Sequence, residues 1–368
     1  MIVDDIRVHT VSLPLREPVQ FSWEPFPHPM YVFSVVEVES GGIKGYSAIE
    51  FGPAYKQFLE TTVKLTIFGL KLEDVEYRLL EVGSWAIQRL GALEVAIMDL
   101  LARKHGVPLY RFLGGSRKRV KVYASTGRLL GPDETVKLVG KYVEMGIDVV
   151  KLRFRRKDVN EDLEVLKAVR REFGGGLKIA VDANQAWSYT PPYWDRKKAL
   201  RVAKELEKYE VVWLEEPLWK DDVEGYRWLR ENTSIPISGG ELEHGIARFR
   251  YLIESGALDI VQADAVYSNG LRECLKVAAL AEAFNLKFMP HAWDPMLGWV
   301  ANLHLAAALP EELCPYIETP LDPLWWWDEV MRFALKEGIE IENGYAVLPD
   351  GPGLGVELDL EKLKKFSL

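Results

Sequence analysis

Two cysteines in 368 residues, Cys274 and Cys314, are too few for a disulfide framework or a cysteine-based zinc site. That scarcity suits a reducing compartment, and a cytoplasmic location is expected. No apolar run reaches the ~18 residues that a bilayer span needs, so no membrane partner is expected. The opening MIVDDIRVHTVSLPL alternates like a strand and lacks the charged-then-apolar build of a secretion signal. No basic block offsets a net charge of −9; the densest run is Arg153, Arg155, Arg156 and Lys157. Nucleic-acid binders carry a basic footprint, so nucleic acid is not an expected partner. The glycine clusters Gly114-Gly115 and Gly174–Gly176 do not open a helix after a strand, which argues against the phosphate loop of a doubly wound dinucleotide fold.

What is present is an ordinary globular composition, 48% hydrophobic and 27% charged, in a chain long enough for two domains or for one barrel with additions. Residues 1–50 alternate or run apolar, with Ser40-Gly41-Gly42 as a hairpin turn between strands. Residues 56–105 are predicted helical: Leu90, Leu93, Ile97, Leu100 and Leu101 share one face, and Gly106 ends the run. A small α+β domain therefore precedes residue ~120. Beyond it, eight strand candidates, Val120–Ala124, Ile147–Phe154, Leu177–Asp182, Val211–Glu215, Ile235–Ser238, Leu258–Gln262, Leu286–Pro290 and Tyr316–Glu318, alternate with helical stretches. That pattern predicts a parallel sheet, closed into a barrel at this length.

Seven strand ends in succession carry a charged or titratable residue. The second carries Lys151 and Arg153, spaced i and i+2, so both aim at one face. The third carries Asp182 and Asn184, the fourth Glu215, and the fifth is followed by Glu241. Asp264 follows the sixth, His291 the seventh, and Glu318 ends the eighth. Taken singly, a strand-end acid is more often a helix cap or a solvated loop residue, and a lone histidine is more often structural. Strand ends of a parallel barrel converge on one face, however, and there Asp182, Glu215 and Glu241 would meet. Three carboxylates at one point call for a hard divalent cation, Mg²⁺ first among them.

Such a cation could take a substrate carboxylate and neutralise the enediolate formed when the α-proton leaves, with Lys151 as a second cation. His291 is the expected base, with Asp264 fixing its tautomer. Glu318, if protonated, could hydrogen-bond the substrate carboxylate. Arg153 would stand on the opposite face of the carbon. Asn184, Gln185, Arg155 and Arg156 are candidate partners for substrate hydroxyls. The segments Glu17–Met30 and Glu50–Tyr55 are expected to close over the mouth and exclude water.

The ordered set resembles the enolase superfamily, mandelate racemase subgroup. Val181-Asp182-Ala183-Asn184, Leu214-Glu215-Glu216-Pro217, Gly239-Gly240-Glu241, Val261-Gln262-Ala263-Asp264 and Pro349-Asp350-Gly351-Pro352-Gly353-Leu354-Gly355 carry the resemblance. It implies an α+β capping domain at 1–118, a modified TIM barrel, (β/α)₇β, at 119–325, and a C-terminal segment at 326–368 that returns to the cap. It also implies one Mg²⁺ per subunit and a small carboxylate substrate, and relatives commonly form homo-oligomers. The muconate-cycloisomerase-like subgroup usually has Asp as third ligand and a catalytic Lys at the sixth strand; Glu241 and Asp264-Ala265-Val266-Tyr267 depart from both. One departure from the mandelate racemase pattern stands out: the second strand carries Lys151-x-Arg153 where Lys-x-Lys is usual. Arginine stays protonated, which disfavours a base on each face. The expected activity is therefore dehydration of a sugar acid to a 2-keto-3-deoxy acid. A racemase or epimerase of a 2-hydroxy acid, and a catalytically silent metal-binding barrel, are the alternatives.

Overall fold

The computed structural model describes residues 1–72, 74–86, 89–187 and 191–368. Positions 73, 87 and 88 of the expected helical stretch lie outside the described residues. The alternating N-terminal residues form three antiparallel strands, β1 (Asp5–Val19), β2 (His28–Ser40) and β3 (Ile43–Ile49), paired in that order. Helical turns from Pro53 to Ile67 pack on β1, and the helix Gly91–Lys104 packs on β2 and β3.

That last helix differs from the amphipathic one its leucines predict. Every residue from Gly91 to Leu100 is buried, as is Ala102, because cap and barrel cover it from two sides. Two glycines set the spacing. A Cβ on Gly45 of β3 would lie 2.1 Å from the Ala96 carbonyl oxygen, and one on Gly91 would lie 2.2–2.5 Å from the carbonyl oxygens of Ser268, Ala265 and Val266. Only hydrogen fits at either contact.

Eight parallel strands follow: β4 (Arg119–Ser125), β5 (Val149–Arg153), β6 (Lys178–Asp182), β7 (Val211–Glu215), β8 (Ile237–Gly239), β9 (Ile260–Val261), β10 (Lys287–Phe288) and β11 (Ile317–Pro320). Each pairs with the next from β4 to β10, and β11 pairs back with β4. One helix lies between each successive pair of strands, from Pro132–Glu144 to Leu297–Ala308. Three of these start at aspartates whose side chains accept a first-turn N–H: Asp158 from Asn160, Asp195 from Lys198 and Asp222 from Gly225. Each such cap contributes about 1 kcal/mol. The expected cap-plus-barrel architecture is present; β9 and β10 are shorter than the apolar runs that predict them.

The two-residue period fills the barrel in layers. Val149, Ala180 and Trp213, with Tyr123, Ile260 and Met289, form a separate apolar cluster. Two residues further along the same strands come Lys151, Asp182 and Glu215, all fully buried. The polar layer therefore rests on an apolar floor.

The C-terminal segment serves both units. The hairpin β12 (Ile341–Glu342) and β13 (Tyr345–Val347) adds antiparallel to the start of β4, while the last residues bond to β1, with Ser12 donating to the Phe366 carbonyl and Leu368 to that of Thr10. Trp326 packs edge-on against Phe21 and Tyr31, and Trp327 against Trp299, so these two tryptophans are spent on packing within the chain. Among the described residues no helix is long and apolar enough to cross a membrane.

Candidate active site

Asp182, Glu215 and Glu241 each place a carboxylate oxygen within 4.8 Å of the others, and all three are buried. Strand twist and the interior-facing period bring them together at the C-terminal end of the barrel. Burial pushes Glu215 up to about 7 against the opposing pull of Lys151, with Asp182 and Glu318 adding to the rise. Burial also raises Glu241, against His291. Crowded carboxylates this short of compensation suit a divalent cation with hard oxygen ligands.

Each acid is held from behind. Trp213 Nε1 and Gln262 Nε2 donate to Glu215 Oε2, at 3.2 and 2.8 Å. Trp187 Nε1 donates to Glu241 Oε1 at 2.9 Å. The Asn184 backbone N–H donates to Asp182 Oδ1 at 2.8 Å. Lys151 Nζ stands 2.5 Å from Glu215, 2.7 Å from Glu318 and 3.5 Å from Asp182. Burial alone would lower its pKa, but Glu215 and Glu318 reverse that and drive it well up. Lys151 is a fixed cation among acids, which leaves it poorly suited to accept a proton.

Arg153 is more fully tied down. It donates to the carbonyl of Thr126, to Ser125 Oγ at 3.0 Å, to Asn184 Oδ1 at 3.3 Å and to Asp182. Its guanidinium also lies over the rings of Trp23 and Trp293, at 4.8 and 5.2 Å. Trp23 comes from the cap, so this stack joins the cap loop to the barrel.

His291 lines a cavity together with Arg153. Its Nδ1 is 2.8 Å from Asp264 Oδ2, and Asp264 Oδ1 accepts from the Val266 N–H and from Asn302 Nδ2. Nε2 faces Glu241 and Glu318, at 3.8 and 3.9 Å. Burial opposes protonation, yet Glu241, Glu318 and Asp264 outweigh it and raise His291 to about 10.

Two expectations need correction. Glu318 is not held protonated: burial pushes its pKa up, but Lys151, His291 and Arg153 bring it below the usual carboxylate range. Gln185, Arg155 and Arg156 are not among the described residues that line the cavity. Gln185 bonds to the backbone of Ala183 and Trp194, Arg155 to the Pro192 carbonyl, and Arg156 to Asp162 and Leu130. Beside Glu215, Glu216 has no ion pair among the described residues; its Oε2 is buried without a hydrogen bond, and burial raises its pKa well above normal.

The site opens into a cavity of about 450 Å³. His291, Arg153, Asn184 and Glu241 line one side, with Trp187, Tyr267 and Trp293; Trp23, Glu24, Glu50, Phe51 and Arg89 line the other. The two expected cap segments do reach the cavity, although Phe26 is 71% exposed and lies off it. Trp213 and Gln262 were not singled out in the sequence, although each sits two residues before an acid that was. Arg89 and Tyr267 carry no such signal.

A cap sheet over a parallel barrel, with three acids and a His–Asp pair at the strand ends, defines a two-domain barrel enzyme of the enolase type. Residues 134–363 match the family described as Enolase C-terminal domain-like, and the chain belongs to the enolase superfamily, mandelate racemase subgroup. It is 31% identical over 343 residues to an arabinonate dehydratase of Saccharolobus solfataricus, covering 89% of this chain and 88% of that protein. It is 25% identical over 372 residues to an L-Ala-D/L-Glu epimerase of Clostridium acetobutylicum, covering 97% and 99%. The solved structure of L-talarate dehydratase from Polaromonas sp. JS666, complexed with Mg and L-glucarate, superposes with a TM-score of 0.84 at 28% identity, covering 100% of this chain and 97% of that one. Relatives thus include dehydratases, cycloisomerases and an epimerase.

Proposed function

We propose that the protein is a Mg²⁺-dependent dehydratase of a sugar acid, an aldonate or a related acid, that yields a 2-keto-3-deoxy acid. In this proposal it acts in the cytoplasm as a homo-oligomer. Asp182, Glu215 and Glu241 hold the ion, which when bound draws off negative charge from the substrate carboxylate as the α-proton leaves. Lys151 adds a fixed positive charge beside that carboxylate. Asp264 accepts from His291 Nδ1, which leaves Nε2 facing the cavity for proton exchange. Glu241, once it holds a cation, no longer exerts the largest of the pulls that keep His291 protonated. The neutral ring then takes the proton from C2 and delivers it to the C3 hydroxyl, which departs as water. The resulting enol gains a proton at C3 and loses the proton of its C2 hydroxyl, becoming the ketone. Asn184 holds the Arg153 side of the site and offers an amide to a substrate hydroxyl.

The observation that carries this choice is Arg153. A two-base racemisation needs a group that can lose a proton on each face of C2. Arg153 is bonded to four residues and lies over two indoles, and its neighbouring acids raise its pKa further against the effect of burial. His291 remains as the single proton-exchanging group, and elimination can run with one. The arabinonate dehydratase relative supports the same choice. The test is a sugar-acid library incubated with Mg²⁺, with keto products trapped by semicarbazide and a parallel run in D₂O read by mass spectrometry. A keto product from a few acids is expected. Deuterium uptake at C2 with no keto product would replace the dehydratase with a racemase or epimerase.

A further inference from the structure

The cavity is electrostatically lopsided. Its barrel end carries Lys151, Arg153 and the candidate ion site, all suited to one carboxylate. Its cap end carries two carboxyl groups, Glu24 and Glu50. Glu24 Oε2 accepts from the Phe21 N–H at 3.0 Å, and its other oxygen is 3.5 Å from His28 Nε2. Glu50 is anchored through its backbone N–H, which donates to Asp294 Oδ1 at 2.9 Å. Asp294 is itself fully buried and adds a third acid behind the wall. Among the described residues the cation at that end is Arg89, and its guanidinium is turned to the Leu242 carbonyl at 2.7 Å and to His244 Nδ1.

We propose that this acidic cap wall, Glu50 with Glu24, makes the enzyme selective for monocarboxylic sugar acids over the dicarboxylic acids of the same configuration. The inference rests on the sugar-acid reading of the site. An ionised carboxylate only accepts hydrogen bonds, so it rewards substrate hydroxyls, which can donate. A second substrate carboxylate at that end cannot donate and would face like charge within a partly dehydrated cavity, where repulsion is strong. Aldonates present a terminal hydroxyl there; aldarates present a carboxylate. Burial raises Glu50 to about 7, with Glu24 adding to the rise and the Tyr31 hydroxyl and His291 opposing it, so the wall is charged and acceptor-only above that pH, and the comparison below is made at about pH 8.

The test measures binding and turnover separately. Calorimetric titration of the Mg²⁺-loaded protein with configuration-matched pairs, such as gluconate and glucarate or galactonate and galactarate, gives affinities; the keto-product assay gives kcat/KM. Aldonates are expected to bind about tenfold or more tightly than their aldarate partners. Glu50→Gln, which keeps the shape and removes the charge, should narrow that ratio several-fold, and Glu24→Gln serves as a second variant should the first fail to fold. Equal or tighter binding of aldarates, no binding of any aldonate, or a ratio unmoved in both variants would overturn the proposal. Preferential aldonate binding without any keto product would defeat the dehydratase assignment and leave the acidic wall standing.

Discussion

Glu241 and His291 face each other at 3.8 Å and divide the proposed work between ion binding and proton exchange, so they can be separated by substitution. Glu241→Gln should weaken Mg²⁺ affinity by about 10²-fold and abolish product formation, because an amide oxygen replaces a charged ligand. Titration calorimetry with Mg²⁺ checks it; unchanged affinity would remove Glu241 from the ion site. His291→Asn should leave Mg²⁺ affinity near its native value while lowering kcat by about 10³-fold, within the usual range for losing a general acid–base group. Retained turnover would move proton exchange elsewhere. At this scale much was legible in advance, because the two-residue strand period forces Lys151 and Arg153 onto one face. The protonation of Glu318 was not: it depends on Lys151 standing 2.7 Å away, across strands far apart in sequence. Arg89 was illegible for a related reason. Its place at the cavity depends on how the cap is seated, and no local pattern records that.

Among the elements, the loop between β1 and β2 does more than cover the mouth. Phe21 stacks on Trp23 with centroids 5.0 Å apart, and both meet Trp293 edge-on. Trp23 also covers Arg153, and Ser22 reaches Asn184 at 3.4 Å. Trp23→Ala should therefore loosen the loop and free one side of the guanidinium. A fall of about tenfold in kcat/KM is expected, with a stability loss of about 1–2 kcal/mol from the lost stack and cation–π contact. Steady-state kinetics and urea unfolding check the two effects; a stability loss with unchanged kinetics would make the stack purely structural. The sequence pointed to Glu17–Met30 as a lid through its aromatics and prolines, yet it could not say which aromatics turn inward. Phe26 points to solvent, while Phe21 is buried. Element ends were similarly half legible. The apolar runs at 258–262 and 286–290 mark strands, but only two residues of each stay in the ladder.

For the whole molecule, one histidine far from the chemistry ties the parts together. His304, on the helix Leu297–Ala308, accepts from the Tyr110 N–H at 3.0 Å through Nδ1 and donates to the Leu354 carbonyl at 3.1 Å through Nε2. It thereby joins the barrel, the segment leaving the cap and the C-terminal turn. Both ring nitrogens are committed, so only the neutral ring fits. Burial lowers its pKa from 6.5 to about 4, against a small rise from the Leu354 carbonyl. Below pH 6.5 the unfolded chain takes up a proton that the folded one refuses. The stabilisation held above that pH is lost as pH falls toward 4, by about 3 kcal/mol at most. His304→Gln should be less stable at pH 7 and should lose that part of the acid slope. Urea unfolding of both proteins from pH 7 to 4 measures it; parallel curves would assign the slope to other groups. Buried acids such as Glu94, which burial raises to about 7, contribute with the opposite sign. The difference between the two proteins isolates the histidine. The cap-and-barrel plan was legible from the alternation of strands and helices, whereas the role of His304 was not, because its partners lie 194 and 50 residues away.

Gly91 has no side chain, yet it bears on the chemistry. The carbonyl oxygens that press on it belong to Ala265, Val266 and Ser268, in the same loop that begins with Asp264 and so aims His291. Adding one methyl group there would shift the orientation of a histidine it never touches. In the history of such a chain, drift at Gly91 would be policed as severely as drift at the proton-exchanging residue itself. A map of forbidden substitutions would thus draw the catalytic centre larger than the set of groups that meet substrate, with its border running through the seam between the two domains.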